Sequence, residues 1–279
     1  MTTTKQQSCL KGHRARWFFA LVSLFASVLP LAPGNAVVEE KALRLAVYIP
    51  QEGTNHVYQP LADYLGEKVG RPVKLITTIN FLTHWQLFKR ENYELVLDGP
   101  HFTDYRVQKM GYRPVAKFPS VVSYSLVTSE DLLILEAKEL IARKIATPPS
   151  PGLGALWLND LYPNPLRQPK IVEADNSTAA VEKVLSGEAV AAMIPTPFVQ
   201  RYRSVIPVQT TEQVPAPALS VSGQVDDALA ERIRQALLSA SDTRQGRAML
   251  EAIKVPRFEP ASQQTYEGMA DALKGVWGY

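Results

Sequence analysis

Tyr93-Glu94-Leu95-Val96-Leu97-Asp98-Gly99-Pro100-His101-Phe102 constrains the fold more than any other stretch of this chain. The apolar run centred on Leu95–Leu97 reads as a short buried strand. Gly99 and Pro100 break it, and a helical pattern begins near Phe102. A strand that runs straight into a Gly-Pro turn and a helix places the turn at the strand's carboxyl end. Open α/β sheets bind ligands at that edge. Asp98, the last strand residue, either looks into the crevice or caps the helix that follows.

The same unit recurs along the chain. Residues 43–50 form a first strand stopped by Pro50. A polar loop follows with Thr54 or Asn55 as helix cap, then a helix over 57–69 stopped by Gly70. A second strand covers 73–77. Thr78-Ile79-Asn80 then turns into a helix carrying Phe81, Trp85 and Phe88. This alternation predicts parallel strands with right-handed crossovers. Three turns, at 49–55, 78–81 and 98–102, therefore share one sheet edge. Two extended segments cover 112–118 and 121–128, after which the pattern restarts. A strand over 140–147 leads through Pro148–Gly154 into a helix with Leu156, Trp157 and Leu161. A strand over 171–174 leads through Asp175–Thr178 into another helix, and a strand over 189–194 ends at Pro195-Thr196-Pro197. Residues 215–221 read as a strand returning to the first sheet, followed by helices over 226–239, 243–253 and 262–276. The expected organisation is two α/β lobes, residues 37–122 with 213–279 and residues 123–212. Two crossings, near 121–124 and 208–215, hinge them together, and such lobes close on a ligand between them.

Residues 1–36 stand apart. Lys5, Lys11, Arg14 and Arg16 precede an apolar run from Trp17 to Leu29, and Gly34-Asn35-Ala36 puts small residues at −3 and −1 of a cleavage site. The run is short for a membrane span, which needs about 20 apolar residues, so a secretory signal cleaved near Ala36 is expected, with the periplasm as destination. This leader carries four of the 30 basic residues and none of the 27 acidic ones. The remainder therefore holds 26 against 27, net −1, with no basic tract suited to nucleic acid. The one cysteine, Cys9, also lies in the leader, so thiol catalysis, disulfides and thiolate-bound metal are excluded for the rest.

Leu43-Arg44-Leu45-Ala46-Val47-Tyr48, Pro60–Leu65 with Gly70-Arg71-Pro72-Val73, Gly99–Arg106 and Ala179–Gly187, in this order and spacing, carry a family likeness. The chain resembles the phosphate-, phosphite- and phosphonate-type periplasmic solute-binding proteins of ABC transporters. The resemblance implies the type II, transferrin-like periplasmic binding fold, each lobe a mixed, mostly parallel sheet flanked by helices. It also implies delivery of a small oxyanion to an ABC permease, without a cofactor and as a monomer. In that family a lower-lobe helix start holds the anion with hydroxyls and backbone amides, as helix N-termini can. The matching turn is Ser150-Pro151-Gly152-Leu153-Gly154, which keeps one hydroxyl of the usual Ser-Thr-Ser-Gly-like run and loses an amide donor at Pro151. Asp98 stands where an aromatic residue is usual, and Asp175 where a histidine is common.

These matches and the polar turns nominate Tyr48, Thr78, Asn80, Phe81, Asp98 and His101 from the first lobe as ligand contacts. Tyr124 comes from the crossing, and Ser150, Gly152, Leu153, Gly154, Asp175, Asn176 and Thr196 come from the second lobe. Asp175-Asn176-Ser177-Thr178 equally reads as a helix cap, and Phe81 and Tyr48 pack either on a ligand or on the protein. Two cleft carboxylates would repel a dianion, so an amine, a polyol or a protonated oxyacid is expected to fit better than a phosphonate. His56, His84 and His101 each follow a first-lobe turn, but their spacing lacks a metal-binding pattern and structural roles are expected. Trp85, Trp157 and Phe88 are expected in the core. The alternative to a transport role on this fold is a ligand sensor that docks on a kinase or other membrane receptor. An enzyme is not expected, since Gly-x-Ser-x-Gly, Ser-x-x-Lys and His-Glu-x-x-His are missing from residues 37–279.

Overall fold

The computed structural model describes residues 41–47, 57–77, 86, 87, 90 and 93–275. In chain order, β1 (Leu43–Val47), α1 (Gln59–Val69), β2 (Val73–Ile76), β3 (Leu95–Asp98), α2 (Pro100–Met110) and β4 (Arg113–Lys117) come first. The chain crosses through β5 (Val121–Val122) into β6 (Tyr124–Ser129), β7 (Lys144–Thr147), α3 (Leu153–Leu161), β8 (Lys170–Glu173), α4 (Ser177–Leu185), β9 (Ala191–Pro195), α5 (Thr196–Val199) and β10 (Val205–Thr210). It returns through β11 (Val214–Pro215) to β12 (Ala218–Val221), α6 (Asp227–Leu238), α7 (Arg244–Ala252), β13 (Glu259–Pro260) and α8 (Gln263–Tyr266).

Two larger sheets result. The first has strand order β13-β4-β12-β3-β1-β2 and the second β10-β6-β9-β7-β8, while β5 and β11 pair antiparallel as the chain crosses in each direction. Strands linked through helices are parallel, as expected: β1 with β2 and β3, and β7 with β8 and β9. Strands that enter or leave by the crossings run antiparallel, β12 between β3 and β4 and β6 between β9 and β10. Each sheet is thus mixed, and its parallel half is the one that feeds helices.

Period-two alternation in the second sheet explains where its helices go. Leu126, Ile145, Ala191 and Met193 point to one face and pack with Leu158 and Tyr162 around α3. Val127, Ala146, Ala192 and Ile194 point to the other and pack with Ala180, Val181 and Val184 of α4. Both sides are buried, and both helices start from the same carboxyl edge of the sheet. In the first sheet Leu43, Leu45, Val47, Leu95 and Leu97 join α1, α6 and α7 in the largest core cluster. Ala46, Val96, Tyr93 and Tyr112 pack on the opposite face.

Three local expectations need correction or completion. The helix expected over 262–276 is broken: α8 ends at Tyr266, Gly268 takes φ 82, and a 3-10 turn covers Met269–Leu273. A left-handed residue ends an α-helix, and the turn is then anchored by Ala270 N–H donating to Asp104 Oδ2 at 2.8 Å. β10 went unread because Pro207 interrupts it and most of its residues are exposed; an edge strand tolerates both. The helix expected to carry Phe81, Trp85 and Phe88, and the cap at Thr54 or Asn55, lie outside the described residues.

Candidate functional site

A cavity of about 220 Å³ lies between the carboxyl edges of the two sheets. Among the described residues, three helix starts line it: Gly99–Phe102 at the head of α2, Gly152–Gly154 at the head of α3, and Asn176 with Ser177 at the head of α4. Each start follows a strand by one short turn, so strand–turn–helix geometry aims all three at one place. The first N–H groups of a helix have no intrahelical acceptor and sit at the positive end of its dipole. Gly99 and Gly152 cap α2 and α3 without a side-chain hydrogen bond, and Pro100 at the head of α2 has no N–H to give. At α4, Asn176 Oδ1 accepts from Ala179 N–H at 2.8 Å, so the cap covers that amide while Asn176 and Ser177 line the cavity.

The rest of the described wall is apolar or neutral. Val122, Tyr124, Leu153, Phe102 and Phe198 supply apolar surface, with prolines 100, 148, 195 and 217, and Thr147 stands at the end of β7. No Asp, Glu, Lys or Arg occurs among the described lining residues, which include one imidazole, that of His101. The Tyr124 ring rests on Trp157, edge to face, with centroids 5.0 Å apart. Burial pushes the Tyr124 phenol up to about 12, so it stays neutral through the physiological range. The backbone of Gly154 approaches the wall closely: a Cβ there would lie 3.0 Å from Tyr124 Cδ1 and 3.1 Å from Met193 Cγ, so a larger residue needs those side chains to give way. A hydrogen bond between described residues crosses the cleft. His101 Nε2 lies 3.0 Å from the carbonyl oxygen of Pro151, joining α2 of the first sheet to the turn before α3 of the second.

The structure brings together six of the residues nominated from sequence: His101, Tyr124, Gly152, Leu153, Gly154 and Asn176. Tyr48, Thr78, Asn80 and Phe81 lie outside the described residues. Four others are placed elsewhere. Asp98 is 1% exposed and does not line the cavity. Its Oδ2 accepts from Arg106 Nε at 2.6 Å, an ion pair closed off by Tyr112, whose ring centroid lies 4.9 Å from Arg106 Cζ. It is neither a cleft carboxylate nor a helix cap; a buried guanidinium two turns into α2 draws it inward. Asp175 is exposed and borders a separate acidic depression with Glu173, Glu182 and Glu188, while its neighbour Asn176 takes the cap. Ser150 is half-buried in the turn, two residues short of the helix start that reaches the cavity. Thr196 is held in a hydroxyl network, with Ser123 at 2.8 Å and Ser125 at 3.0 Å, and its flanking Pro195 and Phe198 reach the cavity instead.

Those placements remove the sequence argument against an anion, because both carboxylates lie outside the cavity wall. Sequence reasoning missed Thr147, Ser177, Phe102 and Phe198. The first two were legible in principle, as the last residue of a strand and the first of a helix at turns already singled out. No group of three His, Cys, Asp or Glu side chains among the described residues is placed to hold a metal ion.

Comparison with curated proteins by sequence finds no match. Solved structures resemble the chain at low identity. PhnD1 from Prochlorococcus marinus in complex with methylphosphonate is 15% identical over 84% of this chain and 97% of that one, with TM-score 0.70. A binding protein component of an ABC phosphonate transporter from Pseudomonas aeruginosa is 10% identical over 81% and 83%, with TM-score 0.68. A Xanthomonas citri protein bound to ATP is 14% identical over 83% and 96%, with TM-score 0.69. At such identities the likeness speaks to fold, here the two-lobed type II periplasmic binding fold. A family profile described as ABC transporter, phosphonate, periplasmic substrate-binding protein matches residues 46–266, and the chain belongs to that family.

Proposed function

We propose that this protein captures a small organic oxyanion of the phosphonate type between its lobes and hands it to an ABC permease, acting as a monomer in the periplasm. The observation that carries this reading is the convergence of three helix N-termini on one cavity whose described wall holds no carboxylate. Helix N-termini, with their backbone amides and positive dipole ends, favour an anion without a bound counter-cation. The apolar part of the wall, with Phe102, Val122 and Phe198, suits an organic substituent better than a fourth oxygen. The volume of about 220 Å³ lies below the roughly 300–1,000 Å³ of drug-sized ligand pockets, which favours a ligand of few atoms. His101, Tyr124, Gly152, Leu153, Gly154 and Asn176 are the proposed contacts.

Thermal denaturation with methylphosphonate, inorganic phosphate, arginine and a polyol tests the ligand class. A ligand at a hundred times its Kd stabilises by about 2.7 kcal/mol, which for a chain this size raises the melting temperature by roughly 5–10 °C. That rise is expected with methylphosphonate. A response to arginine or the polyol, with none to either oxyanion, would overturn the reading.

Periplasmic action further requires removal of the leader. Mass spectrometry of the exported protein is expected to show an N-terminus near Val37, leaving a chain with 26 basic and 27 acidic residues. A full-length species held in the membrane through residues 17–29 would contradict it.

A further inference from the structure

Thr147 is 0% exposed, lines the cavity, and its Oγ1 has no hydrogen-bond partner among the described residues. Buried hydroxyls are rarely left so, because water gives up a hydrogen bond that nothing replaces. Its position is not slack. Thr147 ends β7, pairs in register with Glu173 of β8, and its carbonyl accepts from Ala174 N–H at 3.0 Å. Its branched side chain is stiff at χ1. β7 leads into α3 and β8 leads into α4, so the hydroxyl stands at the sheet edge between the two helix starts that line the same cavity.

We propose that Thr147 Oγ1 hydrogen-bonds the bound oxyanion and is a specificity-determining residue of the cavity. The proposal rests on the oxyanion reading above. It gives the second lobe a side-chain hydroxyl in place of Ser150, which does not line the cavity. The amides at the helix starts only donate, whereas a hydroxyl both donates and accepts. Thr147 therefore meets a protonated as well as an ionised ligand oxygen.

Calorimetric titration of wild type, Thr147→Val and Thr147→Ser with methylphosphonate and with inorganic phosphate tests it. Valine keeps the branched shape and removes the hydroxyl; serine keeps the hydroxyl. Affinity is expected to fall on the order of tenfold to a hundredfold in Thr147→Val, the range for a lost hydrogen bond to a charged group, and to be largely retained in Thr147→Ser. The ligand-free melting temperature of Thr147→Val is expected to equal or exceed that of wild type, since an unpartnered buried hydroxyl is removed. Unchanged affinity in Thr147→Val, with wild type binding normally, overturns this inference alone. Equal losses in both variants overturn it as well, because shape rather than the hydroxyl would then matter. Failure of wild type to bind either anion overturns the oxyanion reading and this inference with it.

Discussion

Asp98→Asn is expected to lower the ligand-free melting temperature by on the order of 10 °C. Asp98 and Arg106 form an ion pair at 2.6 Å with side-chain exposures of 2% and 0%. Removing one partner of a buried pair leaves the other charge uncompensated in a low-dielectric interior, at a cost of about 3–5 kcal/mol. For a chain of this size each kcal/mol shifts the melting temperature by about 2–4 °C. The effect is local to the joint between β3 and α2, where Tyr112 covers the guanidinium and donates from its hydroxyl to Tyr93 O at 2.6 Å. Oxyanion affinity, measured well below the melting temperature, is expected to stay near that of wild type, because the carboxylate does not line the cavity. The opposite pattern, intact stability with lost affinity, would return Asp98 to the ligand. A double change to Asp98→Leu with Arg106→Met is a further control. It removes both charges together and is expected to recover much of the loss, as apolar replacements of buried pairs often do.

The history of Asp98 shows what a single sequence can and cannot carry. Its place on the last strand residue before Gly99-Pro100 was readable, since hydrophobic runs and breakers locate strands and turns. Where its side chain points was not, because that depends on a partner eight residues later. Arg106 shares a helix face with Phe102, one turn earlier, and both are buried. A charge on an otherwise buried face was the available signal that Asp98 had an internal partner. The same limit applies at the second lobe. The turn between β7 and α3 was found from its prolines and glycines, and two of its residues, Pro148 and Gly152, do line the cavity, as do Leu153 and Gly154 at the head of α3. Hydroxyl count in that turn was a poor guide, since Ser150 misses the cavity while Thr147, still on the strand, reaches it. Backbone donors have no sequence signature beyond the helix start itself, which is why periodicity and breakers pointed to the lining of the cavity better than the polar side chains did.

Leu153→Pro isolates one of those backbone donors and is expected to weaken oxyanion binding on the order of tenfold or more relative to Leu153→Ala. Leu153 is the first residue of α3 and lines the cavity. Its N–H has no intrahelical acceptor by position, so a proline there costs the helix no hydrogen bond, and first-turn prolines are common. The preceding residue must be extended, and Gly152 already sits at φ −63, ψ 141. Proline therefore deletes a donor while leaving the helix start in place. It also deletes the leucine side chain, which is 7% exposed, and Leu153→Ala measures that part separately. Both variants are expected to lose similar stability from lost packing. The affinity difference between them reports the N–H, whose hydrogen bond to a charged ligand contributes about 1.5–3 kcal/mol. Equal affinities would mean that this amide does not meet the ligand and that the anion is held at α2 or α4 instead. A large excess loss of stability in the proline variant alone would show that α3 begins earlier or later than Leu153 in solution, which circular dichroism of the two variants would register as a difference in helix content.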